Sequence, residues 1–158
     1  MKSFPPPARS LLALTGLILV TFCAPLAGMF SPPGDWYAAL NKPEWNPPSW
    51  IFGPVWTLLY LLMAVAAWLV WKRDGWRWPL RFYLVQLALN AAWTPISFGA
   101  HALGWALVEI VALWFAILLA MLGFHRVSKT AGWMLVPYLA WVTFAAFLNF
   151  TLWRLNPG

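Results

Sequence analysis

Apolar residues in this chain do not alternate with polar ones. They run on in long stretches over residues 11–30, 51–71, 80–99, 105–124 and 133–153, separated by short polar or proline-rich connections. A bilayer core takes about 20 apolar residues per helix, and none of the stretches shows the two-residue alternation of a membrane β-barrel strand. The pattern predicts an all-α membrane protein: a five-transmembrane-helix bundle over residues 11–154. It leaves residues 1–10 as an N-terminal tail, a long loop at 31–50 between the first two helices, and 155–158 as a C-terminal tail. Five such helices use about 100 residues at that length, so the chain has no room for a second domain.

Composition narrows the class. Of 158 residues, 63% are hydrophobic and only 9% charged, against roughly 25% charged in soluble domains. That excludes a soluble enzyme and a disordered chain. A single Cys excludes a disulfide framework and a Cys-based zinc or iron–sulfur site. Lys2 and Arg9 before an apolar run resemble a signal peptide. Residues 23–28, however, offer no Ala-x-Ala cleavage site, and Val20, Thr21 and Phe22 before Cys23 are not a lipobox, so an uncleaved helix is expected.

The cations divide unevenly between the two faces of such a bundle. Lys2, Arg9, Lys72, Arg73, Arg77, Arg81, Arg126 and Lys129 lie on the face shared by the N-terminus and the second and fourth loops, against Lys42 and Arg154 opposite. Cytoplasmic loops carry the positive excess, which predicts a multi-pass protein with its N-terminus and loops 2 and 4 on the cytoplasmic side of an inner membrane. The net charge of +6 then reads as topology and contact with anionic headgroups. No nucleic-acid partner is implied; the lipid bilayer is.

Residues 31–50 are the least ordinary segment. Five prolines stiffen them, and they carry Trp36, Trp45, Trp50 and Tyr37. Asp35 is placed to N-cap a short helix over 36–40. Amphipathic aromatics suit an anchor on the bilayer interface, and they equally suit a lid over a cavity between the helices. Composition leaves both open.

Helical spacing puts i, i+3, i+4 and i+7 on one face. Gln86, Asn90 and Trp93 share a face of the third helix, Trp56, Tyr60, Met63 and Ala67 one of the second, and Trp141, Ala145, Leu148 and Asn149 one of the fifth. Amides in a membrane face protein or a cavity, since lipid cannot pair them. Trp71, Trp76, Trp78, Trp105, Trp133 and Trp153 fall at helix ends, as an interfacial belt requires. Trp56 lies about 7 Å inside the boundary at 1.5 Å per residue, and Trp93 and Trp141 are also deep. Trp114 is assigned to packing. For the other three, a cavity roofed by the first loop explains depth, face and amide company together. Such a cavity suits a large planar apolar ligand.

The residues also carry a family resemblance. Trp36-Tyr37-x-x-Leu40-x-Lys42-Pro43-x-Trp45-x-Pro47-Pro48 is followed by Phe52 and Trp56-x-x-x-Tyr60. Next comes Asn90-x-x-Trp93-x-Pro95-x-x-Phe98-Gly99, and last Pro137-Tyr138-x-x-Trp141-x-x-Phe144-Ala145-x-x-Leu148-Asn149. Taken in order over residues 28–154, these blocks resemble the TspO family (translocator protein, tryptophan-rich sensory protein). The resemblance implies a ligand class of protoporphyrin and related tetrapyrroles, with sterols in eukaryotic members, and a homodimer using the third helix. It matches the family's ligand-contacting aromatics to Trp56 and Trp141, and further lining positions to Tyr37, Pro47, Tyr60, Asn90 and Ala145. Lys42 and Arg154, the two lid-side cations, are candidates to meet porphyrin propionates. The C-terminal sequence from Leu148 to Arg154 lacks the Tyr of the eukaryotic sterol pattern, whereas Arg81-Phe82-Tyr83-Leu84 fits its reverse. Tetrapyrrole is therefore favoured over sterol.

Other chemistry finds little support. His101 and His125 are expected in loops at opposite faces, too far apart for a bis-His haem. No His, Asp and Glu cluster has metal spacing, no Ser–His–acid set or phosphate loop appears, and no cofactor is implied. The predicted function is a receptor- or transporter-like protein for tetrapyrrole sensing, sequestration or transport. One alternative is a light- and oxygen-dependent porphyrin-degrading enzyme with Trp56 and Trp141 as redox partners of the ligand. Another is a small proton-coupled exporter using Glu109, the one carboxylate inside a predicted span. Glu109 lies about one turn from the boundary, where a solvated or helix-capping role competes.

Overall fold

The computed structural model describes residues 6–157, so the N-terminal cation Lys2 and the last residue of the C-terminal tail lie outside the described residues. Proline and glycine set most of the helix boundaries. Helix α1 (Pro7–Cys23) ends before Pro25, which cannot donate the next helical hydrogen bond, and a short α2 (Leu26–Met29) follows at an offset. The predicted first run of 11–30 is therefore two helices. Helix α3 (Gly34–Ala39) lies in the long loop, and a 3₁₀ turn (Ser49–Ile51) leads into α4 (Phe52–Asp74). Asp35 sits inside the first turn of α3 and is not its cap; Pro33 holds that position without a side-chain bond. Gly75 closes α4 at φ 69°, with its N–H on the Trp71 carbonyl at 2.8 Å, the left-handed stop that favours glycine.

Helix α5 (Trp78–Thr94) runs into a π-helical turn (Pro95–Gly99), where Pro95 removes a donor and the Ala100 N–H reaches back to the Pro95 carbonyl at 2.9 Å. Helix α6 (Leu103–Val127) carries His125 in its last turn, not in a loop as expected. Helix α7 (Lys129–Met134) is capped by Ser128, whose Oγ accepts from the Ala131 N–H. The chain then breaks at Leu135, because Pro137 enters the first turn of α8 (Val136–Leu155). The fifth predicted run thus also begins with a break.

All described regular structure is helical. Among the described residues, three segments are long and apolar enough to cross a membrane: Ser49–Asp74, Leu103–Val127 and Lys129–Leu155. Ala8–Cys23 is a shorter apolar helix, and α5 needs its π turn to approach the same length. Helix α1 lies along α4, α5 packs chiefly on α6, and α6 packs on α8. The main core joins Leu59, Met63 and Ala67 of α4, Leu80 and Tyr83 of α5, and Ile117 and Phe124 of α6 to Tyr138 and Val142 of α8. A second, small cluster of Leu103, Leu148 and Leu152 lies at the other end, and Trp36, Tyr37 and Leu40 of the loop pack on it. That cluster holds the loop over the bundle.

A roofed aromatic cavity

Between the helices, beneath the 31–50 loop, lies a cavity of about 610 Å³, within the range of pockets that bury drug-sized ligands. Its walls come from α4, α5, α6 and α8, with Ala24 and Pro25 closing the side next to α1. Trp56 and Tyr60 line it from α4, one turn apart and stacked at 5.4 Å. From α5 come Asn90 and Trp93, and from α8 come Trp141 and Ala145. Phe52 meets Trp141 edge-on at 5.8 Å, and Phe98 meets Trp93 at 5.5 Å. Helical spacing explains the convergence: each pair sits three or four residues apart on a face turned inward.

The loop supplies the roof. Tyr37, Lys42 and Pro47 line the cavity from above. The Lys42 ammonium donates to the Ala38 and Leu40 carbonyls at 3.0 and 3.3 Å and stands 4.7 Å over the Tyr37 ring. It therefore closes the end of α3 while facing the cavity. Arg154 is exposed near the end of α8 and is not among the cavity's lining residues. Burial pushes the Tyr37 phenol above its ordinary value, so it stays protonated as a donor, 3.5 Å from the Asn46 Oδ1. Two further contacts fasten the roof. Trp36 stacks on His101 at 4.2 Å and 11°, and Asn156 pairs with the Asn41 backbone, accepting its N–H at 2.9 Å and donating to its carbonyl at 3.0 Å. Trp45 and Trp50 point outward, 50% and 73% exposed. The loop is thus a lid through its inner residues and carries interface-type aromatics on its outer ones.

A chain of hydrogen bonds forms the floor. Tyr60 donates to Asn90 Oδ1 at 2.6 Å, Asn90 Nδ2 donates to the Tyr138 hydroxyl at 3.1 Å, and Tyr138 donates to Gln86 Oε1 at 2.8 Å. Gln86 Nε2 then lies 3.8 Å from the Met63 sulfur. Every link is buried, so the chain satisfies amides that lipid could not. Other polar atoms in the walls remain unpaired. The indole N–H groups of Trp93 and Trp141 and the Oδ1 of Asn149 are buried without a partner among the described residues, while Asn149 Nδ2 donates to the Leu103 carbonyl at 2.9 Å. A buried donor without an acceptor costs about 1–3 kcal/mol. All three residues line the cavity through other atoms; the unpaired atoms themselves are turned away from its open space.

A match to the TspO/MBR family covers residues 13–154. The chain belongs to that family. It is 47% identical to the tryptophan-rich protein TspO of Chlorobaculum tepidum, over 81% of this chain and 85% of that one. It is 46% identical to the human translocator protein, over 78% and 76%, and 42% identical to protein CrtK of Rhodobacter capsulatus, over 86% and 88%. It is accordingly a membrane protein, as its apolar helices indicate.

Several site features were not legible in the pattern. Tyr138, which belongs to the family-type block at 137–149 and to no inward stripe, is the central link of the floor, and its partner Gln86 shows in the sequence only as one member of the α5 stripe. Ile110 and Leu113 of α6 also line the cavity, but nothing in an apolar helix distinguishes them. Trp114 donates to Thr143 at 2.8 Å and lies outside the cavity lining, as a packing residue should. Tyr83, the centre of the reversed sterol pattern, is fully buried and shares a 2.6 Å hydrogen bond with Thr21, so lipid does not reach it. Glu109 neither caps α6 nor reaches solvent freely. It is 9% exposed, and neither carboxylate oxygen has a partner among the described residues.

Proposed function

We propose that this protein binds porphyrin-type tetrapyrroles beneath the first loop and serves as a receptor- or carrier-like element in their sensing, sequestration or transport. The observation that carries the reading is the cavity itself: flat aromatic walls beneath a roof, with a mostly apolar lining. A planar, largely apolar macrocycle fits such a stacking surface. Lys42 is placed to attract a propionate, and Arg154 would have to reach it from outside the lining. Titrating purified protein with protoporphyrin, and reading ligand absorbance and Trp quenching, tests the proposal. Saturable binding of one per chain, weakened in Trp141→Phe, is the expected result; partition equal to that of empty detergent would remove it.

In the membrane the reading has α1, α4, α5, α6 and α8 as five spans, with the lid opposite the cation-rich face that includes Lys72, Arg73, Arg77 and Arg126. We further propose a homodimer through α5, whose Leu84, Val85 and Ala88 form an exposed apolar stripe. The small residues Ala116 and Ala120 of α6 are instead buried within the chain. Crosslinking from Ala88→Cys checks the pairing.

Light-driven porphyrin breakdown is a second reading. It is supported by the Trp56–Tyr60 stack, which places two oxidisable rings together in the wall. Oxygen-dependent loss of the porphyrin spectrum under light, reduced in Trp56→Phe with binding kept, would favour it over storage.

A further inference from the structure

The lid meets the bundle through two kinds of contact. Along α3 they are rings and apolar side chains: Trp36 stacks on His101, Tyr37 stands edge-on to Phe98 at 5.2 Å, and Leu40 packs on the cluster of Leu103, Leu148 and Leu152. Apolar burial of this kind is non-directional, so it holds the lid down without fixing its position. Just past α3 the contact is directional. Asn156, which follows the last residue of α8, accepts the Asn41 N–H through Oδ1 at 2.9 Å and donates from Nδ2 to the Asn41 carbonyl at 3.0 Å. The same Nδ2 donates to the Leu152 carbonyl at 2.8 Å, which anchors the amide on the last turn of α8. Among the described residues, the pair on Asn41 provides the only hydrogen bonds from residues 31–50 to a part of the chain remote in sequence.

We infer that Asn156 is a positioning residue for the proposed ligand site: a latch that holds the lid closed and sets the rate at which ligand passes beneath it. Asn41 directly precedes Lys42, which lines the cavity and whose ammonium holds the Ala38 and Leu40 carbonyls. Gripping both backbone groups of Asn41 therefore fixes the segment that carries Lys42 and, through it, the end of α3. The grip is on backbone, so it does not depend on the Asn41 side chain. Two bonds from one amide fix direction as well as distance. Both are exposed, so water takes over either partner when the lid lifts, and opening costs less than breaking a buried pair. A contact that is specific when made and cheap to exchange for water suits repeated opening. The ligand half of this inference rests on the cavity reading above; the closure of the lid does not.

Two readouts on the full chain in phosphatidylcholine nanodiscs separate these halves. Without ligand, cleavage by a Glu-specific protease after Glu44, an exposed residue of the lid, reads the open population, since proteolysis tracks the open fraction when opening is fast. Asn156→Ala should raise that rate about tenfold, the worth of about one net hydrogen bond. Stopped-flow Trp quenching with protoporphyrin should then show association and dissociation both faster by the same factor at unchanged Kd, because a latch on a mostly closed lid changes rates and not affinity. A merely structural contact would accelerate dissociation alone and weaken Kd. Asn41→Pro removes the gripped N–H from the lid side and leaves α8 untouched; Leu40, at φ −63° and ψ 143°, already has the extended backbone that precedes proline. It should reproduce both effects and decides the matter if the Ala variant frays α8. Unchanged cleavage in both variants would overturn the latch, as would dissociation that accelerates alone. Faster cleavage with unchanged porphyrin kinetics would overturn its role in ligand passage. Absence of saturable porphyrin binding in the parent chain would instead remove the cavity reading, and the ligand half with it.

Discussion

The two ends of this bundle use the same helices to opposite ends. At the cation-rich end, α4, α5, α6 and α7 close on one another: Leu80, Tyr83, Ala66, Ala67 and Phe124 are fully buried. Gly123 lies against Trp78, and Gly132 against His125. At the lid end, α4, α5 and α8 stand apart around a cavity of about 610 Å³. Polar groups follow the same division. In the closed half they are paired, as Thr21 with Tyr83 and Tyr138 with Gln86; in the open half Trp93, Trp141 and Asn149 keep unpaired atoms. One end therefore is closed by packing and paired polar groups, and the other encloses space and keeps polar atoms that no described residue satisfies.

Gly132→Ala should have the largest effect. Its new Cβ would stand 2.7 Å from the His125 Cβ and 2.8 Å from its backbone Cα, and backbone cannot step aside. A cost of about 3 kcal/mol, at the upper end for overpacking, should appear as a lower unfolding midpoint in detergent. Tyr138→Phe comes next. It leaves Asn90 Nδ2 and Gln86 Oε1 without their partner, at about 1–3 kcal/mol, and should lower thermal stability while the cavity's outline persists. A stability equal to the parent would mean the floor is not a structural element.

The open half should respond the other way. Trp93→Phe removes an unpaired donor, so stability should hold or rise slightly. Protoporphyrin affinity should fall about tenfold, equivalent to ~1.4 kcal/mol, as read by titration. A stability loss like that of Tyr138→Phe would erase the distinction between the halves. The smallest effect is expected at Gly53, a cavity-lining position where an added Cβ meets nothing within 4 Å. Gly53→Ala should stabilise by about 0.5 kcal/mol through lost backbone freedom in the unfolded chain. The same substitution thus changes sign between the two ends.

Much of this was legible because membranes make sequence explicit. Lipid forbids unpaired backbone, so apolar runs of fixed length become helices, and a Trp or amide away from a helix end has to face protein. Trp56, Asn90, Trp93 and Trp141 accordingly lie on inward faces. The breaks at Pro25 and Leu135 were not separated from the runs around them, since hydropathy registers the apolar side chain and not the missing N–H. Asp35 looked like a cap because its residue type fits one, but Pro33 begins the helix two residues earlier.

By itself, then, the sequence determined the helical class, the positions of the long helices and the stripe of residues each turns inward, because these depend on local periodicity and on length. Only the tertiary structure decided which stripes meet around empty space and which around Tyr138, that Lys42 closes the lid helix while facing the cavity whereas Arg154 lies outside the lining, and that Glu109 is buried without a partner. Those outcomes depend on how far apart the helices stand and on contacts between residues remote in the chain, which no local pattern encodes.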